Sequence, residues 1–251
     1  MTISYRACVP LLSIATLVAT ALPVAAAVAD APDAVDRILE QIETHTRRIS
    51  SFSANFKQIS LERAFNETDQ SSGRLVVLKK RGGDAAAMPV CLVRFDYVTP
   101  ERSVTIMNES RVLVWQQGLQ VQEQPLVDDL KLRAMLAGVT SFADMQEHFV
   151  ITVGTQTRTR VVLQFTPMSD TARRTFRTLQ LTFDRQTWAP VVVVQERLNG
   201  DRVTLRFENI VLNRLVPEDI FTRAHLERLA TGAAPKMPVK KPAAPQTRAG
   251  G

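Results

Sequence analysis

The chain has 251 residues, a formal net charge of +6, two cysteines and three histidines. Cys8 and Cys91 are too few for a disulfide framework. Lys236, Lys240, Lys241 and Arg248 sit in an acid-free end rich in Ala, Pro and Lys, which leaves residues 30–230 close to neutral and argues against a basic nucleic-acid face.

The N-terminus carries Arg6 and then an apolar run from Val9 to Leu22, followed by Pro23 and the small residues Val24 to Ala29. This order predicts a cleavable signal peptide over residues 1–29, with cleavage after Ala27 or Ala29. Cys8 precedes the apolar run, so it is not placed to be a lipid-modified N-terminus. The expectation is a soluble protein working outside the cytoplasm.

One domain is expected over 30–230. Asp30 or Asp33 can cap a first helix whose stripe is Val35, Ile38, Leu39, Ile42 and Ile49, ending before Ser50 and Ser51. From Phe52 the apolar period becomes two: Phe52, Ala54 and Phe56 alternate with polar residues. The pattern returns at Leu75–Val77, Phe95–Tyr97, Val104–Ile106, Val112–Trp115 and Leu119–Val121. It resumes at 149–153, 161–165, 176–183, 191–194 and 203–207, where Asn199-Gly200 signals a two-residue hairpin. Between the two series, Pro125 to Gly138 reads as a helix with Leu126, Leu130, Leu132, Met135 and Leu136 on one face, and a short helix is expected at 141–145. Many short alternating strands describe one large antiparallel sheet, curled or closed. The end, 231–251, is too poor in apolar residues to form a core and is expected to be disordered.

Catalytic and metal chemistry lack their usual residues. His45, His148 and His225 have no ligand spacing, and HExxH, GxSxG and paired cysteines are absent. Asp128 and Asp129 are adjacent on a helix and point apart. The expectation is no enzyme, no metal and no cofactor. Cys91 lies among Val90, Leu92 and Val93 and reads as a structural thiol. A curled sheet can enclose an apolar cavity or simply fill a core, and periodicity does not separate the two.

Several segments in order resemble the periplasmic outer-membrane lipoprotein carrier family, LolA. They are Ser51-Phe52-Ser53-Ala54-Asn55-Phe56-Lys57-Gln58, Gly73-Arg74-Leu75, Val93-Arg94-Phe95-Asp96-Tyr97 with Pro100, Pro125-Leu126, and Leu179-Gln180-Leu181-Thr182-Phe183-Asp184. Asn199-Gly200, Leu205-Arg206-Phe207-Glu208-Asn209-Ile210 with Asn213, and Pro217-Glu218-Asp219-Ile220-Phe221 complete the match. The resemblance implies a mainly β fold, an incomplete, unclosed antiparallel β-barrel covered by a helical lid. It also implies a monomeric carrier in the periplasm. Its partners would be acylated lipoproteins, an inner-membrane lipoprotein-releasing transporter and an outer-membrane receptor. The same half-barrel also serves lipid-binding regulators of an anti-sigma factor, so a sensor, or a carrier of another lipid or glycolipid, is the alternative.

On that fold, the inward strand positions expected to line a cavity are Leu75, Val77, Phe95, Tyr97, Ile106, Trp115, Phe165, Leu181, Phe183, Leu205 and Phe207. Leu130, Met135 and Leu136 are expected to face it from the lid. The family's lid latch is an arginine near the end of the Gly-x-Leu strand. Here residue type selects Arg81, and strict spacing from Gly73 selects Lys79. Gly82 stands where the family usually has proline, and the loop from Gly82 to Met88 is long.

Overall fold

In the computed structural model, which describes residues 32–80, 90–108, 111–125 and 142–232, the N-terminal stripe folds as helix α1, Pro32–Thr46. Ile38, Leu39 and Ile42 are buried from it, and Ile49 is buried just beyond its end. Each such aliphatic side chain contributes roughly 1.5–3 kcal/mol on leaving water. Asp33 falls inside the helix and so does not cap it, and the alternative cap, Asp30, lies outside the described residues.

A single 11-stranded antiparallel sheet follows. Its first half is β1 (Ser51–Glu62), β2 (Glu67–Lys80), β3 (Val90–Thr99), β4 (Ser103–Met107), β5 (Arg111–Gln116) and β6 (Gln122–Pro125). Its second half is β7 (Phe149–Gln156), β8 (Arg160–Pro167), β9 (Thr178–Asp184), β10 (Pro190–Glu196) and β11 (Arg202–Leu212). The spatial order is β6-β5-β4-β3-β2-β1-β11-β10-β9-β8-β7, so the two meanders join through the β1–β11 pair and the ends β6 and β7 do not meet. The sheet is therefore an open barrel rather than a closed one. Helices α2 (Phe142–His148) and α3 (Asp170–Thr175) precede β7 and β9, and a 3₁₀ turn (Glu218–Phe221) leads into α4 (Arg223–Ala230).

The sheet has a hydrophobic cluster on each face. Leu75 and Val77 belong to the inner cluster with α1, Phe52, Phe56, Phe165 and Phe183, while Val76 between them belongs to the outer cluster. Met145 of α2, Ala172 of α3 and Phe176 close the inner cluster. The outer cluster packs Val76, Leu92, Val104 and Leu113 under Ile220, Phe221, Leu226 and Leu229. Helix α4 was not anticipated from the sequence. Its signal is short: Thr222 accepts from the His225 amide as N-cap, followed by Leu226 and Leu229.

Local geometry accounts for several of the family-like segments. At Gly73 an added Cβ would lie directly on the Asp96 carbonyl oxygen and 2.9 Å from the Tyr97 Cα, so only glycine fits where β2 crosses β3. Asn213 has φ 57°, and its side-chain oxygen accepts from the Ser50 amide at 2.7 Å, which ties the end of β11 to the start of β1. The Asn199-Gly200 hairpin differs from the two-residue turn expected. Gly200 donates to the Arg197 carbonyl at 3.0 Å, and Arg197 donates to Asp201 at 2.8 Å, so the loop holds Leu198, Asn199 and Gly200, with Gly200 at φ 87°. A type I turn followed by a left-handed glycine matches strand twist in a three-residue loop. Pro125 is the last residue of strand β6, the remainder of the helix expected from Pro125 to Gly138 lies outside the described residues, and Leu119 is exposed in the β5–β6 turn instead of in a strand.

Candidate functional site

The inner face is filled at one end and hollow at the other. Around α1, the side chains of Leu75, Val77, Phe165, Leu181 and Phe183 are buried in the core cluster. Beyond it lies a cavity of about 320 Å³ between β3–β6 and β10–β11. Phe95, Met107, Val112, Val114, Leu205 and Phe207 form its apolar wall, and Gln58, Gln124, Gln195 and Arg197 stand among its polar lining. The cavity–core alternative thus resolves into both. Of the residues expected to line a cavity, Phe95, Tyr97, Leu205 and Phe207 do so, and Leu75, Val77, Phe165, Leu181 and Phe183 are packed core.

Ile106 and Trp115 require correction. They lie in the outer cluster, because Ile106 pairs with Arg94 and Leu113, and Val104 pairs with Asp96 and Trp115. The inward positions of these strands are Thr105, Met107, Val112 and Val114. The sequence is apolar on both faces here since the outer face is covered by α4. That helix removes the polar alternation by which parity is read. The missed lining residues Met107, Val112 and Val114 carry no signal apart from the register itself.

An aromatic group forms the floor. The Phe56 ring meets Phe95 and Tyr97 edge-on at centroid distances of 5.6 and 5.0 Å, and the Tyr97 hydroxyl donates to Gln58 Oε1 at 3.3 Å. Edge-to-face packing holds these rings in place without closing the space above them. Burial pushes the Tyr97 pKa up, so the phenol stays protonated.

Beside the core end, Lys79 shares the face of Leu75 and Val77. Its Nζ donates at 2.7 Å to the Thr46 carbonyl at the end of α1, which also accepts from the Ile49 amide. A cation at a helix C-terminus gives its last carbonyls a second donor and complements the helix dipole. Burial lowers the Lys79 pKa, and neighbouring Cys91 opposes that shift. Cys91 is half-buried, and burial raises its thiol pKa. Replacing Lys79 with methionine is expected to cost about 1–2 kcal/mol and to speed amide exchange in α1 at Ile42 and Thr46. Unchanged protection there would show that the bond does not hold the helix. Lys80 points to the other face and pairs with Glu218 at 2.6 Å. Arg81 and the lid residues Leu130, Met135 and Leu136 lie outside the described residues.

The outer face is clamped by a buried arginine. Arg94, 1% exposed, donates through Nε and Nη2 to Asp96 at 2.9 and 2.6 Å and through Nη1 to the Ile220 carbonyl at 2.5 Å. Val-Arg-Phe-Asp-Tyr thereby sends Arg94 and Asp96 outward to hold the C-terminal segment and Phe95 and Tyr97 inward to the cavity. His225, 6% exposed, sits by this clamp, and neither ring nitrogen has a hydrogen-bond partner. Asp219 Oδ2 is 3.6 Å from Nδ1, too long for a hydrogen bond. Burial and then the Arg94 charge hold the His225 pKa below its ordinary value of 6.5. The unfolded chain therefore binds a proton first as pH falls. Stability is expected to be unaffected by this group above pH 6.5 and to decline below it. His225→Leu should flatten that decline in urea titrations across pH 5–7; an unchanged slope would place its origin elsewhere.

Among the described residues, no helix is long and apolar enough to cross a membrane, and no cluster of His, Cys, Asp and Glu could hold a metal ion. Solved structures similar to the chain include MucB, at 16% identity and a TM-score of 0.45, covering 76% of this chain and 62% of that one. A LolA-superfamily protein from Nitrosomonas europaea matches at 14% identity and TM-score 0.39 over 75% of this chain and 97% of its own. The lipoprotein LppX of Mycobacterium tuberculosis matches at 8% identity and TM-score 0.42 over 74% and 99%. The chain thus spans less than two thirds of MucB. Among curated proteins, no sequence matches. The model of the family described as outer membrane lipoprotein carrier protein LolA matches residues 47–224, from the end of α1 to the first turn of α4. The chain belongs to the LolA family.

Proposed function

We propose that the protein is a periplasmic carrier. It shields the acyl chains of lipoproteins released by an inner-membrane transporter and delivers them to an outer-membrane receptor. The observation that carries this reading is the hollow, apolar end of the inner face beside a filled core end. Burial stabilises an acyl chain by about 0.8 kcal/mol per methylene. An open barrel can admit a chain from its edge and release it without breaking a bond. The reading includes export behind the N-terminal signal, and a latch at Arg81 or at Lys79, of which Lys79 ties β2 to the end of α1 beside the core end. Residue type favours Arg81 and spacing from Gly73 favours Lys79.

The volume favours a second reading as well. About 320 Å³ is at the small end of small-molecule pockets, roughly 300–1,000 Å³. That suits a single-chain lipid without any rearrangement. Mass spectrometry of ligand co-purified from the periplasm tests both readings. Triacylated lipoprotein is the expected result, a free lipid favours the second reading, and an absence of any acyl ligand overturns both.

A further inference from the structure

A second pocket lies on the outer face, away from the cavity. It sits on the seam where the two meanders join, and a bulge opens it. Ser53 pairs with Val211 and Asn55 with Glu208, so β11 carries one extra residue between these pairs, with Asn209 at φ 53°. The resulting hollow of about 240 Å³ is lined by Ser53, Asn55, Arg74, Asn209, Val211 and Arg214. Asn55 and Arg74 are opposite one another in β1 and β2, so both present the outer face.

We propose that this pocket binds a phosphate group. Two arginines from different elements line one small hollow, Arg74 from β2 and Arg214 from the segment after β11, and their charges act on one another. Guanidinium forks match the oxygens of a phosphate, and two forks can share one anion. Asn55, Asn209 and Ser53 add neutral hydrogen-bonding groups around them. The nearby carboxylate of Asp96 accepts from the Arg94 fork. Arg74 is electrostatically coupled to Asp96 on one side and Arg214 on the other. An anion between Arg74 and Arg214 would relieve the repulsion between those two cations. The phosphate could belong to a free anion or to a lipid headgroup. Two exposed aliphatic residues accompany its lining, Val211 in the pocket wall at 42% and Leu215, next in the chain after Arg214, at 93%. They are suited to contact the interfacial layer if the phosphate is that of a lipid.

Full-length protein titrated with inorganic phosphate is expected to show saturable amide shifts at Asn55, Val211 and Arg214, with no such response to chloride at equal ionic strength. Arg214→Gln should weaken the response about tenfold, and the Arg74→Gln/Arg214→Gln pair should remove it. Arg214 is exposed, so the single variant should keep the parent unfolding midpoint. Sedimentation with phosphatidylglycerol vesicles, set against phosphatidylcholine vesicles, separates the sources. Binding to the former that is lost in Arg214→Gln assigns the phosphate to a lipid, and phosphate titration without vesicle binding assigns it to a free anion. The absence of a saturable phosphate response, or a response unchanged in both variants, overturns the proposal.

Discussion

Arg94→Ala is expected to destabilise the protein by about 3–5 kcal/mol, the range for removing one partner of a buried charge pair. The loss has three parts. Asp96, with 16% of its side chain exposed, is left without its forked donor. The Ile220 carbonyl loses its bond to Nη1. The space of a buried arginine stem opens within the outer cluster, next to Val76 and Ile106. Arg74 remains near Asp96 and limits the first of these. For a folded unit of this size the unfolding midpoint should fall on the order of 10 °C. Urea unfolding gives the free energy, and amide exchange at Leu226 and Leu229 reports whether α4 detaches first. Arg94→Lys should fall between, keeping charge but losing the fork. A loss under about 1 kcal/mol for the alanine variant would mean that the clamp orders the C-terminal segment without holding it energetically.

That clamp also explains how much of the molecule was legible in the sequence. Strands with one covered face announced themselves: Leu179-Gln180-Leu181-Thr182-Phe183 alternates, and its inward residues are buried. Antiparallel pairing and an unclosed sheet followed from that pattern and from the family resemblance. Parity failed where both faces are covered. Val104, Ile106, Leu113 and Trp115 are as apolar as their inward neighbours because α4 shields them, and a short helix of Leu226 and Leu229 leaves little trace. The site was legible only in part for a related reason. Period two assigns a residue to the inner face but says nothing of its position along the barrel. Phe165 and Phe207 have the same pattern, yet one is packed in the core against Phe149 and the other borders the hollow. Which end is hollow depends on where the helices dock, and docking is a long-range property. Conversely, residues of the family-like segments outside the apolar core proved to be structural. Asn213 and Gly73 satisfy backbone geometry, and Arg94 joins a segment 126 residues away.

The second large effect is expected at Leu205. It lines the cavity from β11, opposite Gln58 of β1 and Val193 of β10, and packs against the inner core. Leu205→Asp places a carboxylate beside Phe95 and Phe207. An acyl chain entering there would strip water from the charge and gain no partner, so the bound state should lose at least several kcal/mol against the free state. Affinity for a long-chain fluorescent fatty acid is expected to fall about 100-fold or more, equivalent to roughly 2.7 kcal/mol. Stability should suffer less, because Leu205 is only half-buried and the carboxylate can stay hydrated in the empty cavity. The adjacent residue supplies the control. Arg206 faces outward and is exposed, so Arg206→Asp should leave binding as it was. Loss in the first variant alone locates the acyl chain on the inner face. Equal loss in both, with a lowered midpoint, would trace the effect to folding. Full binding in both would move the acyl site away from the β11 side of the cavity and remove the main support for a carrier built on that hollow.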